Sequence, residues 1–280
     1  MVTPFQSDLS VDYTALEKII DFVINGGVEY LVTMGTTGET PTLSKAEKKA
    51  IVQFTYGKVA GRIPVIVGVG GNNTNELVEE LSTLPLDKAT AVLSASPYYS
   101  KPSQEGLFQH YKTLAGASPR PLVLYNVPGR TGRNLTAATT IRLAREVKNI
   151  AGIKEASGDM AQCMEILRDR PEHFMVVSGD DALAFPQIAV GMEGVISVAA
   201  NSWPRAFSDM VRLALKGDLK GAKTLNDRLI AGYELLFAEN NPAGVKAAMS
   251  ELRLIGNYVR LPLVPLSEGL QTKMREYTNG

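Results

Sequence analysis

The 280-residue chain contains one cysteine, two histidines and one tryptophan. A lone cysteine, Cys163, cannot form a disulfide within the chain. Cysteine and histidine are also the ligands that zinc and similar metals prefer. His110 and His173 lie far apart in the sequence and show no metal-ligand spacing. We therefore expect neither a metal site nor a disulfide-stabilised scaffold.

Long apolar runs and an excess of charge of one sign are also missing. No stretch is apolar over the length needed to span a bilayer. Lysine plus arginine and aspartate plus glutamate number 29 each, so no overall field attracts nucleic acid or an anionic membrane. The first residues lack the charged and apolar segments of a secretory signal peptide. These absences predict a cytoplasmic protein that binds neither nucleic acid nor membrane.

What the sequence does contain is an alternation of strand-like and helix-like runs. Short apolar runs, typical of buried parallel strands, occur at residues 2–5, 30–34, 64–69, 90–95, 121–126, 150–154, 174–178 and 194–198. Helical apolar spacing occurs at residues 13–24, 44–59, 74–84, 105–114, 137–147, 161–168 and 182–190, and then at residues 205–215, 219–237 and 244–252. Ser44 and Glu47 have the spacing of a capping box at the start of the second helix.

Eight strands alternating with helices over this length match a (β/α)8 barrel better than an open doubly wound sheet. Beyond about residue 203 only helical patterns remain. We therefore predict an α/β fold, a (β/α)8 TIM barrel over residues 1–216 followed by a C-terminal helical region over residues 217–280. The first strand has little lead-in, so either it is abbreviated or the natural chain begins further upstream.

The sixth predicted strand ends on Lys154 and is followed at once by small, turn-forming residues. Its interior is apolar and includes Gly152, which leaves little water around an amine at its end. Burial disfavours the charged form of an amine, and a neutral amine is a nucleophile towards carbonyl groups. Glu155 points to the opposite face of the strand and is not expected to neutralise its neighbour. The alternatives for Lys154 are therefore a nucleophile and a solvated lysine at a strand end.

Polar side chains also follow the other strands, at the end where enzymes of this fold carry their chemistry. The second strand is followed by a Gly-Thr-Thr-Gly turn, whose N–H groups and hydroxyls at Thr36 and Thr37 suit a carboxylate. Tyr99 follows the fourth strand, and Tyr125 lies at the end of the fifth. Arg130 offers a planar guanidinium group that can bind a second carboxylate through two hydrogen bonds. Taken one at a time, these residues are equally consistent with a tight turn, two tyrosines at the rim of the barrel and a solvated arginine in a loop. Together with a buried amine they indicate carbonyl chemistry on a small acid.

Six motifs, in order, make the sequence resemble the dihydrodipicolinate synthase family of the pyruvate-dependent class I aldolases. They lie at residues 2–5, 35–39, 96–99, 125–132, 152–156 and 178–181, and the match runs along nearly the whole chain. The resemblance implies that Lys154 forms a Schiff base with pyruvate. The resulting enamine would attack the aldehyde of L-aspartate 4-semialdehyde before cyclisation, as the first committed step of lysine and diaminopimelate biosynthesis.

The same resemblance implies a proton relay. Tyr125 would donate and accept protons beside Lys154, linked by hydrogen bonds through Thr36 to Tyr99. In the family this last tyrosine enters the site from the neighbouring subunit, which implies at least a dimer. Members are commonly tetramers built as a dimer of dimers.

Substrate-binding residues follow from the resemblance as well. Thr37 would hold the pyruvate carboxylate, and Arg130 would hold the carboxylate of the semialdehyde. The backbone at Gly179 and Ile196 would shape the pyruvate pocket. Neither an organic cofactor nor a metal is expected.

Two alternatives stay open. A sialic acid lyase or another 2-keto acid aldolase shares the lysine and the tyrosine. Such lyases typically carry Ser-Thr where this chain has Thr36 and Thr37, and they lack an arginine at position 130. The other alternative is a non-catalytic binding barrel, which predicts loss of the hydroxyl relay, yet every member of the relay is present.

Regulation by lysine is expected to be weak or absent. Lysine-sensitive members of the family tend to carry a histidine where Lys48 stands, and a cation there repels the ammonium of a lysine effector unless Glu76 compensates. The positions that match the effector site are Thr40, Pro41, Lys45, Lys48, Asn72, Glu76 and Tyr98.

Overall fold

The computed structural model describes residues 1–279. This part of the chain contains twelve α-helices: α1 (Tyr13–Asn25), α2 (Lys45–Val59), α3 (Thr74–Thr83), α4 (Gln104–Ala117), α5 (Pro128–Thr131), α6 (Ala137–Glu146), α7 (Met160–Asp169), α8 (Ala184–Ala189), α9 (Pro204–Leu215), α10 (Leu219–Phe237), α11 (Ala243–Glu251) and α12 (Glu268–Asn279). It also contains six strands: β1 (Leu31–Thr33), β2 (Val65–Gly68), β3 (Ala91–Ala95), β4 (Leu122–Asn126), β5 (Ile150–Glu155) and β6 (Met175–Ser178). Among the described residues, none of the helices combines the length and the apolarity that crossing a bilayer requires.

Contacts between residues divide the chain into two compact units. Val65–Ile196 form the central unit, and Met1–Pro64 together with residues 197–279 form the terminal unit. The domain boundary predicted between residues 216 and 217 stays a prediction.

The central unit is built on a parallel sheet in which β2 to β6 follow one another in chain order. Its strands are buried along most of their length, which explains their nearly continuous apolar sequence. Since parallel strands point the same way, their carboxyl ends lie along one edge. Tyr125 pairs with Lys154 at that edge, and Asn126 pairs with Glu155.

Gly152 sets how closely β5 and β6 approach. A Cβ atom at this position would lie 2.4 Å from the carbonyl oxygen of Met175, a separation that side chains do not tolerate. Any larger residue would therefore push the two strands apart just below Lys154, which pairs with Val177 of β6.

The terminal unit contains α1, β1, α2 and the helices from α9 onward. Helix α1 buries the apolar stripe that its spacing predicts, including Leu16, Ile19 and Ile20. The predicted capping box of α2 is confirmed, since Ser44 N donates to Glu47 Oε2 over 2.8 Å and Glu47 N donates to Ser44 Oγ over 3.2 Å.

The predicted first strand, residues 2–5, is wrong. The N–H of Val2 donates to the side-chain oxygen of Asn201 over 3.1 Å instead of to a neighbouring strand. Phe5 forms only an isolated antiparallel bridge with Val11, because the chain turns back on itself within a few residues. Pro4 has no N–H to offer a ladder, and its carbonyl accepts from Asp12 N over 2.9 Å.

The predicted eighth strand, residues 194–198, shrinks to a single parallel bridge between Val195 and Ser178. Ser178 N donates to Gly194 O, and Ile196 N donates to Ser178 O, both over 2.9 Å. The pairing ends there because the backbone at Val198 is already helical and leads into a 3-10 turn, Ala199–Asn201.

Candidate active site

Lys154 is buried at the carboxyl end of β5, with only 8% of its surface exposed. Its Nζ atom lies 4.1 Å from the centroid of the Tyr125 ring, the residue opposite it on β4. This excludes a solvated lysine and places an amine next to a phenol, away from bulk water. The two residues that the sequence singled out as nucleophile and proton carrier are in direct contact.

Gly179 leaves the space that the Lys154 side chain occupies. A Cβ atom at Gly179 would lie 2.7 Å from Lys154 Cε, 3.0 Å from Lys154 Cγ and 2.7 Å from the Cβ of Ala156. The N–H of Gly179 is held by the carbonyl of Glu155 over 2.7 Å. Ile196, the other backbone position predicted to line the pocket, is buried and bonded to Ser178, the residue before Gly179.

Arg130 and Tyr99 are both exposed. Arg130 lies on the short helix α5, which begins directly after the end of β4. Tyr99 follows β3 in the left-handed backbone region, with φ of 66°, and 91% of its surface is exposed. In the single chain the Tyr99 ring is therefore turned to solvent.

Thr36 and Thr37 lie in the terminal unit, on the 3-10 helix Thr36–Gly38. Asn241 donates its Nδ2 hydrogen to Thr37 Oγ1 over 3.0 Å. Because that bond uses an acceptor site of the hydroxyl, the hydroxyl hydrogen stays available for a carboxylate. Thr3 Oγ1 donates to Gly38 O over 2.8 Å and holds the other end of this turn.

Glu39, the residue after this turn, is tied to Lys246 by an ion pair in which neither side chain is exposed. Burial lowers the pKa of Lys246 to about 8, although Glu39 opposes the shift. Arg260 N donates to Glu39 Oε2 over 3.0 Å, and Lys246 Nζ lies 4.1 Å from the centroid of the Phe5 ring. Residues from α11 and beyond thus fix the backbone that presents the two threonines.

Sequence reasoning gave no role to Asn241 or Lys246, since each reaches its partner about 200 positions away along the chain. It also left out the buried polar group around Asn126 and Glu155. The sequence signal that could have identified this pair is that a polar residue ends each of two otherwise apolar strands. No group of three or more histidine, cysteine, aspartate or glutamate residues within residues 1–279 could hold a metal ion.

A model of the dihydrodipicolinate synthetase family matches residues 1–279. The chain belongs to this family. The family member 4-hydroxy-tetrahydrodipicolinate synthase of Parabacteroides distasonis is 50% identical over 276 residues, which cover 99% of this chain and 93% of that protein.

Solved structures of the family agree. The dihydrodipicolinate synthase of Aquifex aeolicus superposes with a TM-score of 0.96 at 39% identity, covering 100% of this chain and 95% of that one. The enzyme of Thermotoga maritima gives a TM-score of 0.97 at 38% identity, with the same coverage. The predicted family and the predicted fold class, a (β/α)8 TIM barrel with C-terminal helices, are confirmed.

Proposed function

We propose that this member of the dihydrodipicolinate synthetase family is a 4-hydroxy-tetrahydrodipicolinate synthase, a lyase that condenses pyruvate with L-aspartate 4-semialdehyde. The observation that carries the proposal is the buried Lys154 amine in contact with the Tyr125 ring. Curated relatives that cover nearly the whole chain and bear this name support it.

In the first stage the neutral amine of Lys154 attacks the keto carbon of pyruvate. Water leaves and an imine forms. Loss of a methyl proton then gives the enamine nucleophile, because the protonated imine nitrogen draws electrons from the adjacent methyl group. Tyr125 carries these protons, and the contact of its ring with the Lys154 amine supports this role.

The pyruvate carboxylate needs donors that do not compete for protons. The Thr37 hydroxyl, oriented by Asn241, and the N–H groups of Thr36 and Thr37 supply them, since the N–H groups of Gly38 and Glu39 already donate within the turn. Thr36, at the start of that turn, would link Tyr125 to Tyr99 in the relay.

In the second stage the enamine carbon attacks the aldehyde carbon of the semialdehyde, and the relay protonates the new alkoxide. Arg130 would bind the carboxylate of this substrate as a bidentate fork. The amino group of the bound substrate then attacks the imine carbon, releases Lys154 and closes the ring. No step needs an electron acceptor or donor.

Assembly of at least a homodimer belongs to the proposal. The 91% exposure of Tyr99 in the single chain supports its use in the site of a neighbouring subunit. We propose a dimer of dimers acting in the cytoplasm, with no nucleic acid or membrane partner.

The decisive experiment traps the Schiff base. The protein is mixed with pyruvate and borohydride, and peptide mass locates the reduced pyruvyl adduct. We expect it on Lys154 in the wild type and nowhere in Lys154→Ala, while Lys148→Ala, an exposed lysine just before β5, traps normally. No adduct on folded wild-type protein would favour the non-catalytic barrel.

A second measurement separates the synthase from the sialic acid lyase. Turnover of pyruvate is compared with L-aspartate 4-semialdehyde and with N-acetylmannosamine as the aldehyde partner. We expect turnover with the semialdehyde only. Preference for N-acetylmannosamine would replace the synthase by the lyase without affecting the Schiff base.

A further inference from the structure

Glu155 carries a buried carboxylate on the face of β5 opposite Lys154. Neither Glu155 nor its cross-strand partner Asn126 is exposed. Asn126 Nδ2 donates to both carboxylate oxygens, over 3.2 and 3.0 Å, and Ser157 N donates to Oε1 over 2.6 Å. Within residues 1–279 no lysine, arginine or histidine forms an ion pair with Glu155, so amide donors alone balance this charge.

Two further amides extend the group. Gln162 Nε2 donates to Glu155 Oε2 over 3.2 Å and to Asn134 Oδ1 over 3.2 Å. Asn134 Nδ2 donates back to Gln162 Oε1 over 2.8 Å, and Asn126 Nδ2 also donates to Asn134 Oδ1 over 2.8 Å. We call Asn126, Asn134, Glu155 and Gln162 the amide cluster.

The carboxylate sets the direction of every bond in the amide cluster. An ionised carboxyl group only accepts hydrogen bonds, so the nitrogen ends of Asn126 and Gln162 must face Glu155. The oxygen of Asn126 then points away and accepts the N–H of Leu135 over 2.9 Å. Reversing one amide would bring two donors or two acceptors together at several contacts.

This arrangement closes a loop. Residues 126–135 begin at Asn126, and the Asn134 and Leu135 bonds return their end to the same side chain. The loop carries α5 and therefore Arg130. Lys154, in contrast, is held by the strand ladder, in which Gly179 N donates to Glu155 O and Ala156 N donates to Asn126 O over 2.9 Å.

We propose that Glu155 is a positioning residue for the second substrate, because the amide cluster that it orients fixes the loop presenting Arg130. This inference rests on the proposed function, in which Arg130 binds the semialdehyde carboxylate. The pyruvate half of the site depends on backbone bonds that the side chain of Glu155 does not supply. The two halves of the reaction should therefore respond differently to changes in the amide cluster.

The test compares KM for the two substrates in Glu155→Gln. The substitution keeps the volume but replaces one carboxylate oxygen by an amide nitrogen that faces the donors of Asn126 and Gln162, which weakens the hydrogen bonds that orient Asn126. We expect KM for L-aspartate 4-semialdehyde to rise about tenfold, the effect of losing roughly one buried hydrogen bond. KM for pyruvate and borohydride trapping on Lys154 should change less than about threefold.

A rescue variant distinguishes orientation from packing. Asn126→Asp alone places two carboxylates face to face and should be worse than Glu155→Gln. Combined, the two substitutions keep one carboxylate, and reversal of the Asn134 and Gln162 amides restores the bonds within the cluster at the loss of the longer bond from Gln162 Nε2 to Leu135 O (3.3 Å). We expect the double variant to recover most of the KM for the semialdehyde, whereas a packing role predicts additive losses.

Asn134→Ala supplies a milder test should Glu155→Gln fail to fold, because Asn134 is only half-buried. It should raise the same KM selectively, and Glu165→Gln, an exposed carboxylate on α7, should not. Equal rises in both KM values, or an unchanged semialdehyde KM in folded variants, would refute the positioning role. Absence of wild-type trapping would refute the proposed function instead.

Discussion

At the scale of single residues, Gly179 makes room for the Lys154 side chain because it has no Cβ atom. Gly179→Ala should therefore displace the amine from the Tyr125 ring. Displacing a reacting group by about 1 Å from its productive position can lower the rate on the order of a hundredfold. We expect kcat to fall by about that factor, with slower borohydride trapping on Lys154, measured by peptide mass against time.

Gly116→Ala is the matched control. Gly116 lies on α4, and a Cβ atom there would meet nothing within 4 Å. Alanine is also the better helix former, so activity should be unchanged and the melting temperature equal or slightly higher. If Gly179→Ala traps pyruvate as fast as the wild type, the packing of Lys154 against position 179 has no catalytic consequence.

At the scale of elements, His110 links α4 to the start of α3. Its ring is buried, Nδ1 lies 2.9 Å from Thr74 Oγ1, and burial lowers the pKa of His110 to about 4. In the unfolded chain the pKa of His110 has its ordinary value near 6.5. Between pH 6.5 and 4 the unfolded chain therefore binds a proton at this imidazole that the folded chain does not bind. Stability should therefore fall as the pH drops from about 6.5 to 4, by at most about 3 kcal/mol.

Urea unfolding at pH 7, 6, 5 and 4 measures this loss. His110→Gln keeps a partner for Thr74 without titrating, so its free energy of unfolding should fall less steeply over that range. His173→Gln, the control, changes an exposed ring and should retain the wild-type slope. Parallel slopes for all three proteins would show that other groups cause the acid sensitivity.

Elements with a strong local period were predictable from sequence, and elements defined by distant partners were not. The pattern for α10 gave residues 219–237, which is its observed range, because a long amphipathic helix carries its own signal. Residues 2–5 are apolar like a strand, but their hydrogen bonds go to Val11 and Asn201, which no local pattern reveals. Helices α5 and α12 also went unpredicted.

The candidate site likewise contains residues that the sequence identified and residues that only the structure reveals. Lys154 and Tyr125 were identifiable as polar residues ending apolar strands, and the structure shows them in contact. Asn241 and Lys246 act on Thr37 and Glu39 from far along the chain. Nothing in the residues around them indicates that role, so only the folded chain reveals it.

At the scale of the whole molecule, the Glu39–Lys246 pair joins two distant parts of the chain within the terminal unit. Lys246→Met leaves the Glu39 carboxylate buried without its cation, which typically costs about 3–5 kcal/mol. We expect a loss of that size in urea unfolding. Lys223→Met, which breaks an exposed pair with Asp227 on α10, should change the free energy by less than about 0.5 kcal/mol.

Removing both charges tests the reason for that loss. Apolar replacements of a buried pair are often neutral or stabilising, so Lys246→Met combined with Glu39→Leu should be more stable than Lys246→Met alone. A double variant that is less stable than the single variant would mean that Glu39 stabilises the fold even without its cation, through the hydrogen bond that it accepts from Arg260 N.

Weak inhibition by lysine is the last expectation at this scale, because the side-chain ammonium of Lys48 would repel the ammonium of a lysine effector. We expect millimolar lysine to leave the rate of this protein nearly unchanged. Strong inhibition would show that Glu76 or another acid offsets the charge of Lys48.

The terminal unit is assembled from both ends of the chain, and protein synthesis proceeds from one end only. When residue 196 leaves the ribosome, every residue of the central unit has been made, including Lys154 and Tyr125. The Thr36–Gly38 turn still lacks Asn241, Lys246 and Arg260, so Glu39 stays hydrated until the last fifth of the chain emerges. The Thr36–Gly38 turn, which is made before the central unit, therefore acquires its final shape after it.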